Sequence, residues 1–447
     1  MIETTIFLLM VIPGIVLALR GSSLLVDYTI LVFVFNREIR RIVDYYNHEF
    51  NSLSPISVTP LIMLALLFIS FVGRFNAFHP TARRIFVLLL AAIGYGFVVG
   101  IARNGVACIF QGVQYLSTIG LMGYVATSFA DDRTADRWLR TAAVAGVLAA
   151  AYGWYQYLTI PAWDAFWVKE VNFVGYLGQL EPTKMSVFAT FSDRGVCAVY
   201  LALAAIPVFV SKRWRLILGW PEAAFLVSCI FPTMSRGGII FAGLGAVLYP
   251  VLNGGKHAGR IIIILACVVG VFFAFSSSVP GLDRIVKRFE SLLHMQDDAS
   301  LQGRVAITQW QWNIAFEHPL GYGIGSSGIA ERLNGNAVGV VNDNGWIEIM
   351  ASLGLPGFVL FVTALVLIWR YFSMLGHLGI RDDYLGLART FFIVAVIGTW
   401  AGNLFVDFSV MWIAIGRALS PMMFRSVILE LEEAEQGEPA VPVSERA

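Results

Sequence analysis

Apolar runs of roughly 17–25 residues recur along this chain, and no other feature restricts its fold as strongly. A helix of that length crosses a hydrocarbon layer of about 30 Å. Hydrophobic residues make up 57% of the 447 residues and charged residues 14%, a balance that excludes an ordinary soluble domain. The sequence therefore predicts an all-α polytopic membrane protein.

The apolar runs predict 12 or 13 transmembrane helices. The last run is about twice the length of one span, and Asn403 and Asp407 near its middle suggest a helical hairpin that turns at the interface. The predicted spans are 3–20, 22–36, 57–75, 84–102, 105–128, 138–158, 195–211, 214–232, 236–252, 259–277, 345–369 and the long stretch 388–422.

Polar segments divide the chain into four regions. We expect an N-terminal transmembrane bundle at 1–277 that includes the polar segment 159–194, followed by a large loop at 278–344. Further transmembrane helices occupy 345–424. The acidic, proline-containing tail 425–447 is predicted to be disordered and cytoplasmic.

Lysine and arginine in short loops favour the cytoplasm, and this bias predicts the orientation. It places the segments 159–194 and 278–344 on the far, periplasmic side. The same alternation puts Arg37, Arg40 and Arg41 outside, unless one of the first two apolar runs fails to span. For this reason the helix count stays at 12 or 13 and the side of the N-terminus stays open.

The loop 278–344 contains short helical elements rather than a disordered linker. Residues 303–319 have helical spacing, with Ile307, Trp310 and Ile314 as apolar positions, and the pattern stops at Pro319. A loop of this length with an amphipathic segment predicts a partly helical lid that buries Trp310 and Ile314.

Charge and cysteine content exclude several functional classes. The net charge of +1 gives no basic surface for nucleic acid. The cysteines show no spacing typical of metal ligands and are interpreted as small apolar packing residues. They are Cys108, Cys197, Cys229 and Cys267.

Arg236 is the clearest candidate for function, because an ionisable group near membrane depth is costly and usually marks a site. It lies in a short polar stretch between two apolar runs. One interpretation is an arginine that snorkels at a helix end. The other is an anion-binding arginine at a helix start, where Ser235 caps the helix and Gly237 and Gly238 allow a ligand to approach the backbone amides.

Arg304 also follows a glycine near a predicted helix start, although a solvated loop arginine would look the same. Two arginines at helix N-termini on one side of the membrane suit a diphosphate, because guanidinium groups pair bidentately with phosphate oxygens. Arg194 precedes another span and could add a third positive group.

Asp343 and Asn344 stand where the loop re-enters the membrane, and Glu348 falls about one turn into the next span. A carboxylate at this point either caps the helix or acts as a general base on an acceptor hydroxyl.

In the other polar segment, Trp163 and Trp167 form either an interfacial aromatic belt or a surface on which sugar rings stack.

The motifs at these residues resemble those of the O-antigen ligase and polymerase superfamily of bacterial envelope glycosyltransferases. They are TMSRGG (233–238), GR (303–304), HPLGYGIG (318–325) and an asparagine-containing segment (342–344) that leads into SLGLPG (352–357). The resemblance covers residues 188–370, and the N-terminal spans share only hydropathy with the superfamily.

The resemblance implies an inverting, metal-independent glycosyltransferase of the GT-C kind, acting at the periplasmic face of the bacterial inner membrane. Its donor and acceptor would be oligosaccharides on undecaprenyl diphosphate, and a flippase and a chain-length regulator would be its partners. Arg236 and Arg304 would bind the diphosphate. Members of the superfamily that act as ligases usually have a histidine where this chain has Asp343, and this difference favours a polymerase over a ligase.

The resemblance implies no cofactor, and the candidate residues fall into two groups. Asp343, Arg236 and Arg304 would be catalytic, and Arg194, Ser235, Asn344, Trp163 and Trp167 would bind substrate. A transporter or lipid flippase is the alternative from another class. Such proteins tend to contain internal repeats. No repeat is visible in this sequence, and the distinctive polar residues cluster in its C-terminal half.

Overall fold

The computed structural model describes residues 2–128, 130–253, 270, 299–327, 344–378, 382–407 and 410–423. Within these residues the regular structure is helical, and no strand is present. The α-helices are α1 (Ile2–Leu19), α2 (Leu24–Asn47), α3 (Thr59–Val72), α4 (Pro80–Asn104), α5 (Val106–Thr127), α6 (Asp132–Thr159), α7 (Ala162–Glu170), α8 (Val174–Leu177), α9 (Arg194–Val210), α10 (Trp220–Ile230), α11 (Arg236–Leu252), α12 (Ala299–Glu317), α13 (Gly345–His377), α14 (Asp383–Gly398), α15 (Leu404–Asp407) and α16 (Val410–Ala418).

The prediction of a polytopic helical membrane protein is confirmed. Six helical segments among the described residues are long and apolar enough to cross a membrane, and α9 and α11 are shorter apolar helices. The six are Ile2–Leu19, Pro55–Val72, Pro80–Asn104, Val106–Thr127, Gly345–His377 and Asp383–Ala401.

Each predicted span contains a described helix, except 259–277, which falls outside the described residues apart from Gly270. The long run 388–422 divides near Asn403, as predicted. There α14 ends in a 3-10 turn, Gly402 has a φ of 153°, and α16 packs back against α14. The predicted hairpin is therefore present.

Two of the three arginines behind the conflict over orientation form ion pairs in α2. The helix is longer than the predicted span 22–36 and carries Arg40 and Arg41 inside it. Arg40 pairs with Asp44 at 3.4 Å, and Arg41 pairs with Asp164 of α7 at 2.9 Å. Because both arginines are buried and paired with carboxylates, they do not act as the free positive charges on which the cytoplasmic bias depends.

Three helices begin at the same end of the bundle, which we call the α11 end. Parallel helices α9 and α11 pack along their length, with Gly238 against Ala198 and Gly245 against Ile206. The C-terminal part of α14 joins them, because Gly398 packs on Phe241 of α11. The indole of Trp346, near the start of α13, donates to the Val396 carbonyl of α14 at 3.2 Å. The starts of α9, α11 and α13 therefore share one end.

Helix α13 contains a break at Gly354. This glycine has a φ of 62° and a ψ of 172°, a conformation that residues with a Cβ rarely adopt. Pro356 follows two residues later and has no N–H to continue the helical hydrogen bonds. The break divides α13 into a short first part, 345–353, and a longer second part, 355–377.

Helix α12 forms part of the predicted loop 278–344 and packs on the start of α13. Ala315 lies in a cluster with Ile347 and Met350, so the prediction of a packed loop helix holds for the described residues. The prediction that Trp310 is buried is wrong, because this residue is 47% exposed, and the side chain of Ile314 lies outside the described part of the structure. Among the described side chains of α12, Gln311 and Ala315, one turn apart, are buried.

Candidate functional site

Arg194 and Arg236 are the first residues of two neighbouring parallel helices, α9 and α11. The backbones of these helices approach closely at Gly238, where a Cβ would overlap Ala198. Sequence analysis assigned Gly238 to ligand approach. The structure instead uses it for helix packing, and this packing brings the two arginines to one place at the α11 end.

Arg194 is half-buried and held on two sides. Its Nη1 atom lies 3.4 Å from the Ser186 hydroxyl, and its guanidinium lies 4.1 Å from the centre of the Tyr176 ring. Asp193 caps the same helix, because its Oδ1 atom accepts from the amides of Gly195 and Val196 at 2.6 and 3.3 Å. The cap and the aromatic ring fix the start of α9 and the direction of Arg194.

The start of α11 is built differently. Ser235 occupies the N-cap position, as predicted, but its side chain makes no capping hydrogen bond. Instead, the Ser235 amide donates to the buried Thr233 hydroxyl at 3.1 Å. A Cβ on Gly237 would meet no other atom closer than 3.9 Å. The first turn of α11 thus combines a half-buried arginine, amides that the Ser235 side chain does not cap, and a Gly237 that could carry a Cβ at ordinary van der Waals distances.

Arg304 lies inside α12, which begins at Ala299. The predicted helix began at residue 303, so Arg304 stands in the second turn rather than at the start of the helix. Its side chain lies outside the described part of the structure. The assignment of Arg304 to a diphosphate site stays a prediction.

The start of α13 is capped by Asn344. Its Oδ1 atom accepts from the amides of Trp346 and Ile347 at 3.1 and 3.4 Å, and the residue is 2% exposed. Asp343 lies outside the described residues. The sequence left two roles open for a carboxylate at this point, helix cap or general base. Asn344 fills the capping role.

A glycine-rich segment, residues 318–327, passes between α4, α5 and the break in α13; we call it the strap. The amides of Tyr322 and Ile324 donate to the carbonyls of Ala351 and Gly96 at 2.8 and 2.9 Å. Leu355, just after the break, donates to the Pro319 carbonyl at 2.7 Å. The two sequence motifs HPLGYGIG and SLGLPG are therefore one structural unit, since the strap satisfies the backbone groups that the break in α13 leaves open.

The strap ends in a buried polar cluster of Gln111, Ser327 and Glu348. The Gln111 Nε2 atom donates to the Ser327 hydroxyl at 2.8 Å and to Glu348 Oε1 at 3.4 Å. The Ser327 hydroxyl is 3.3 Å from the same carboxylate oxygen. None of these residues is more than 4% exposed. The cluster joins α5, the strap and the first part of α13 beside Asn344.

The comparison with known families bears on the region that contains these helix starts. Residues 223–362 match the family model described as O-antigen ligase. This region of the chain is similar to the O-antigen ligase family. No curated protein and no solved structure matches the chain.

The matched region includes Ser235, Arg236, Arg304, Asp343 and Asn344, together with the whole strap. Three predicted substrate-binding residues precede it in the chain, namely Arg194, Trp163 and Trp167. The structure brings Arg194 to the matched region through the packing of α9 on α11. The superfamily resemblance is confirmed by this match.

The two tryptophans are held by contacts with other residues of the protein. The Trp163 indole donates to Glu38 and to the Tyr152 hydroxyl at 2.6 and 2.7 Å. Trp167 is 9% exposed and packs against Phe173 and Phe188. Neither the interfacial belt nor the sugar-stacking surface describes Trp167, because its ring contacts protein.

Sequence analysis missed Gln111 and the pairing of the strap with α4 and α13. A glutamine in an apolar run was a signal of a buried polar contact, since such a group needs a partner in lipid. Its partners lie more than 200 residues away in the chain, and no local pattern identifies them.

Proposed function

We propose that this protein is an inverting, metal-independent membrane glycosyltransferase that polymerises undecaprenyl-diphosphate-linked oligosaccharides at the periplasmic face of the inner membrane. The family match supports the superfamily. The observation that carries the proposal is the placement of Arg194 and Arg236 at the starts of two adjacent parallel helices.

This arrangement suits a diphosphate. Guanidinium groups bind phosphate oxygens bidentately, and helix N-termini add partial positive charge. The Ser235 side chain does not cap the amides at the start of α11, and no other atom lies closer than 3.9 Å to the Cβ position of Gly237. In the proposal the leaving diphosphate lies against this turn, Arg194 and Arg236 contact its oxygens, and Arg304 of α12 adds a third positive charge.

The reaction needs a group that receives one proton. The acceptor hydroxyl oxygen attacks the anomeric carbon of the donor, the bond from that carbon to the diphosphate oxygen breaks, and the bonding pair stays on the diphosphate. The arginines meet this developing charge. The hydroxyl proton passes to Asp343, which precedes the α13 cap Asn344 in the chain.

A ligase that transfers the glycan to a lipid-A-core acceptor is the second candidate. The description of the matching family favours it. The aspartate at position 343, where ligases of the superfamily usually have a histidine, favours the polymerase.

Purified protein in proteoliposomes tests the proposal. With lipid-linked repeat units as the only glycan, a polymerase lengthens the chains and releases undecaprenyl diphosphate. Arg194→Lys and Arg236→Lys should each lower this release strongly, because lysine cannot form the bidentate fork. Arg83→Lys is the matched control, since Arg83 also lies in the first turns of a helix but is exposed on α4.

Three outcomes would count against polymerisation at this site. Transfer only when a lipid-A-core acceptor is added would show a ligase. Movement of lipid-linked units across the bilayer without new glycosidic bonds would show a transporter. Full activity of both lysine variants would exclude the arginines from the diphosphate site.

A further inference from the structure

Residues 186–193 form a buried segment without regular secondary structure that leads directly into Arg194. Its backbone groups cannot be satisfied by a helix or a sheet, so other parts of the protein must supply their hydrogen bonds. The six residues of this segment with exposures of 6% or less are Ser186, Val187, Phe188, Ala189, Thr190 and Phe191.

Two side chains from distant helices hold this backbone. Arg41 of α2 donates to the Phe191 carbonyl at 2.8 Å and also to the Ala189 carbonyl. Gln156 of α6 accepts from the amides of Phe188 and Ala189 at 3.0 and 2.9 Å. Together, the two side chains form hydrogen bonds with backbone amides and backbone carbonyls within residues 188–191.

The same segment is joined to the chain just before Arg236. The Val187 amide donates to the Pro232 carbonyl at 2.9 Å. Pro232 belongs to the 3-10 turn between α10 and α11, four residues before Arg236. One hydrogen-bonded layer therefore connects the residues that precede both arginines.

Asp164 fixes the two side chains that hold the segment. Its Oδ1 atom is 2.9 Å from Arg41 Nε, and its Oδ2 atom accepts from Gln156 Nε2 at 2.6 Å. The Tyr152 hydroxyl donates to the same Oδ2 atom at 2.7 Å, and Glu38 forms a second ion pair with Arg41. Both charges of the Arg41–Asp164 pair are thus compensated, as their burial requires.

The same segment contains a strained backbone conformation at Ala189. Ala189 has a φ of 47°, in the left-handed region that residues other than glycine rarely occupy. Such a conformation persists when the surroundings determine it, and at Ala189 the bonds from Arg41 and Gln156 do so. The shape of the segment is imposed by these two residues rather than by its own sequence.

We infer that Arg41 and Gln156 are positioning residues for the diphosphate site, which set the location of Arg194 relative to Arg236 through residues 186–193. This inference rests on the proposed function. Neither residue contacts the diphosphate in this arrangement. They act through the backbone that begins α9.

The probe for the test is undecaprenyl diphosphate itself, whose binding to the full-length protein in nanodiscs gives both a Kd and a number of sites. Gln156→Met keeps the length of the side chain but removes the bonds to Phe188, Ala189 and Asp164. We expect the Kd to rise roughly 10- to 100-fold with the number of sites unchanged, as for other residues that orient binding groups.

A role in folding alone would give the opposite pattern, fewer sites with an unchanged Kd. Gln179→Met is the control, because Gln179 is exposed in the same polar segment and should bind like the wild type. Arg41→Lys provides a second variant. It keeps the charge that pairs with Asp164 but cannot reach two carbonyls at once, so its Kd should also rise.

The inference and the proposed function fail in different ways. Wild-type protein that does not bind undecaprenyl diphosphate would overturn the proposed function. Tight binding by the wild type, weak binding by Arg236→Lys and unchanged Kd values for Gln156→Met and Arg41→Lys would overturn the inference alone.

Discussion

Gly323 of the strap lies directly on Gly100 of α4, so closely that a Cβ on Gly323 would overlap the backbone N and Cα atoms of Gly100. Gly323 also has a φ of 83°, which favours glycine. A Cβ on Gly100 would in turn overlap the backbone of Ile324. The contact between strap and helix therefore requires glycine on both sides.

Substitution of Gly100 by alanine should destabilise the protein, whereas the same change at Gly94 should not. Gly94 lies in the same helix, and a Cβ there would meet no atom within 4 Å. Helix propensity alone predicts that either change stabilises by up to about 1 kcal/mol. Overpacking at Gly100 should outweigh this gain by costing about 1–3 kcal/mol. Thermal unfolding in detergent measures the stability of the two variants. Equal midpoints would show that the strap does not pack as described.

Substitution of Asn344 separates its capping role from substrate binding. Asn344→Asp should keep the cap, whereas Asn344→Ala should cost about 1 kcal/mol of stability. If the residue also lies near the diphosphate, the added negative charge of aspartate should weaken donor binding without loss of stability. Unfolding midpoints and undecaprenyl diphosphate affinity are measured together, and an aspartate variant with wild-type affinity would leave Asn344 as a cap only.

Asp343 is predicted to receive the proton of the acceptor hydroxyl. Since Asn344 caps α13, removal of the Asp343 charge should have little effect on the start of the helix. Asp343→Asn should therefore abolish polymer while lipid-linked repeat units accumulate, and Asp343→Ala should behave in the same way. Wild-type polymer from the asparagine variant would exclude Asp343 as the base.

Glu348 should tolerate glutamine but not leucine. Glutamine keeps an oxygen that can accept from Gln111 and Ser327, whereas leucine removes the acceptor from a buried cluster. The loss should cost about 1–3 kcal/mol. Equal stability of the two variants in detergent would contradict this role. A glutamine variant that is stable but inactive would show that the charge of Glu348 is needed for the reaction.

Asp164 should make stability depend on pH. Burial raises the pKa of this carboxyl to about 6, although Arg41 opposes the increase. The folded protein thus binds the proton more tightly than the unfolded chain, so this contribution to stability is present at low pH and is lost as the pH rises through 6. The Asp164→Asn variant lacks this pH-dependent contribution to stability. The stability of the wild type relative to Asp164→Asn should fall between pH 4.5 and 7.5, and a constant difference would show that Asp164 does not titrate there.

The spans and the break at Asn403 could be predicted because the length of an apolar run and a polar residue inside it are local properties of the chain. The same holds for the start of α11, where Ser235 takes the N-cap position without the predicted capping bond, and for a helix start next to Asn344. These features depend on neighbours within a few residues. The sequence around each of these features was therefore sufficient to predict it.

The partners of buried polar residues could not be predicted. Arg41 looked like a misplaced loop charge, and its pairing with Asp164 joins helices that are more than 100 residues apart. Trp167 looked like an interfacial residue, although its ring is enclosed by Phe173 and Phe188. Such pairs depend on how the helices pack, and no local spacing specifies them.

The common direction of α11 and α13 has a consequence for the electrostatic potential at the α11 end. Each helix carries about half a positive charge at its start. Glu348 offsets this charge in the first turn of α13, whereas α11 has the neutral N-cap Ser235 and no acidic residue in its first turn. A negatively charged headgroup is attracted there by peptide groups as well as by arginines. Removal of every arginine side chain would leave this contribution in place, because it comes from the direction in which the chain runs.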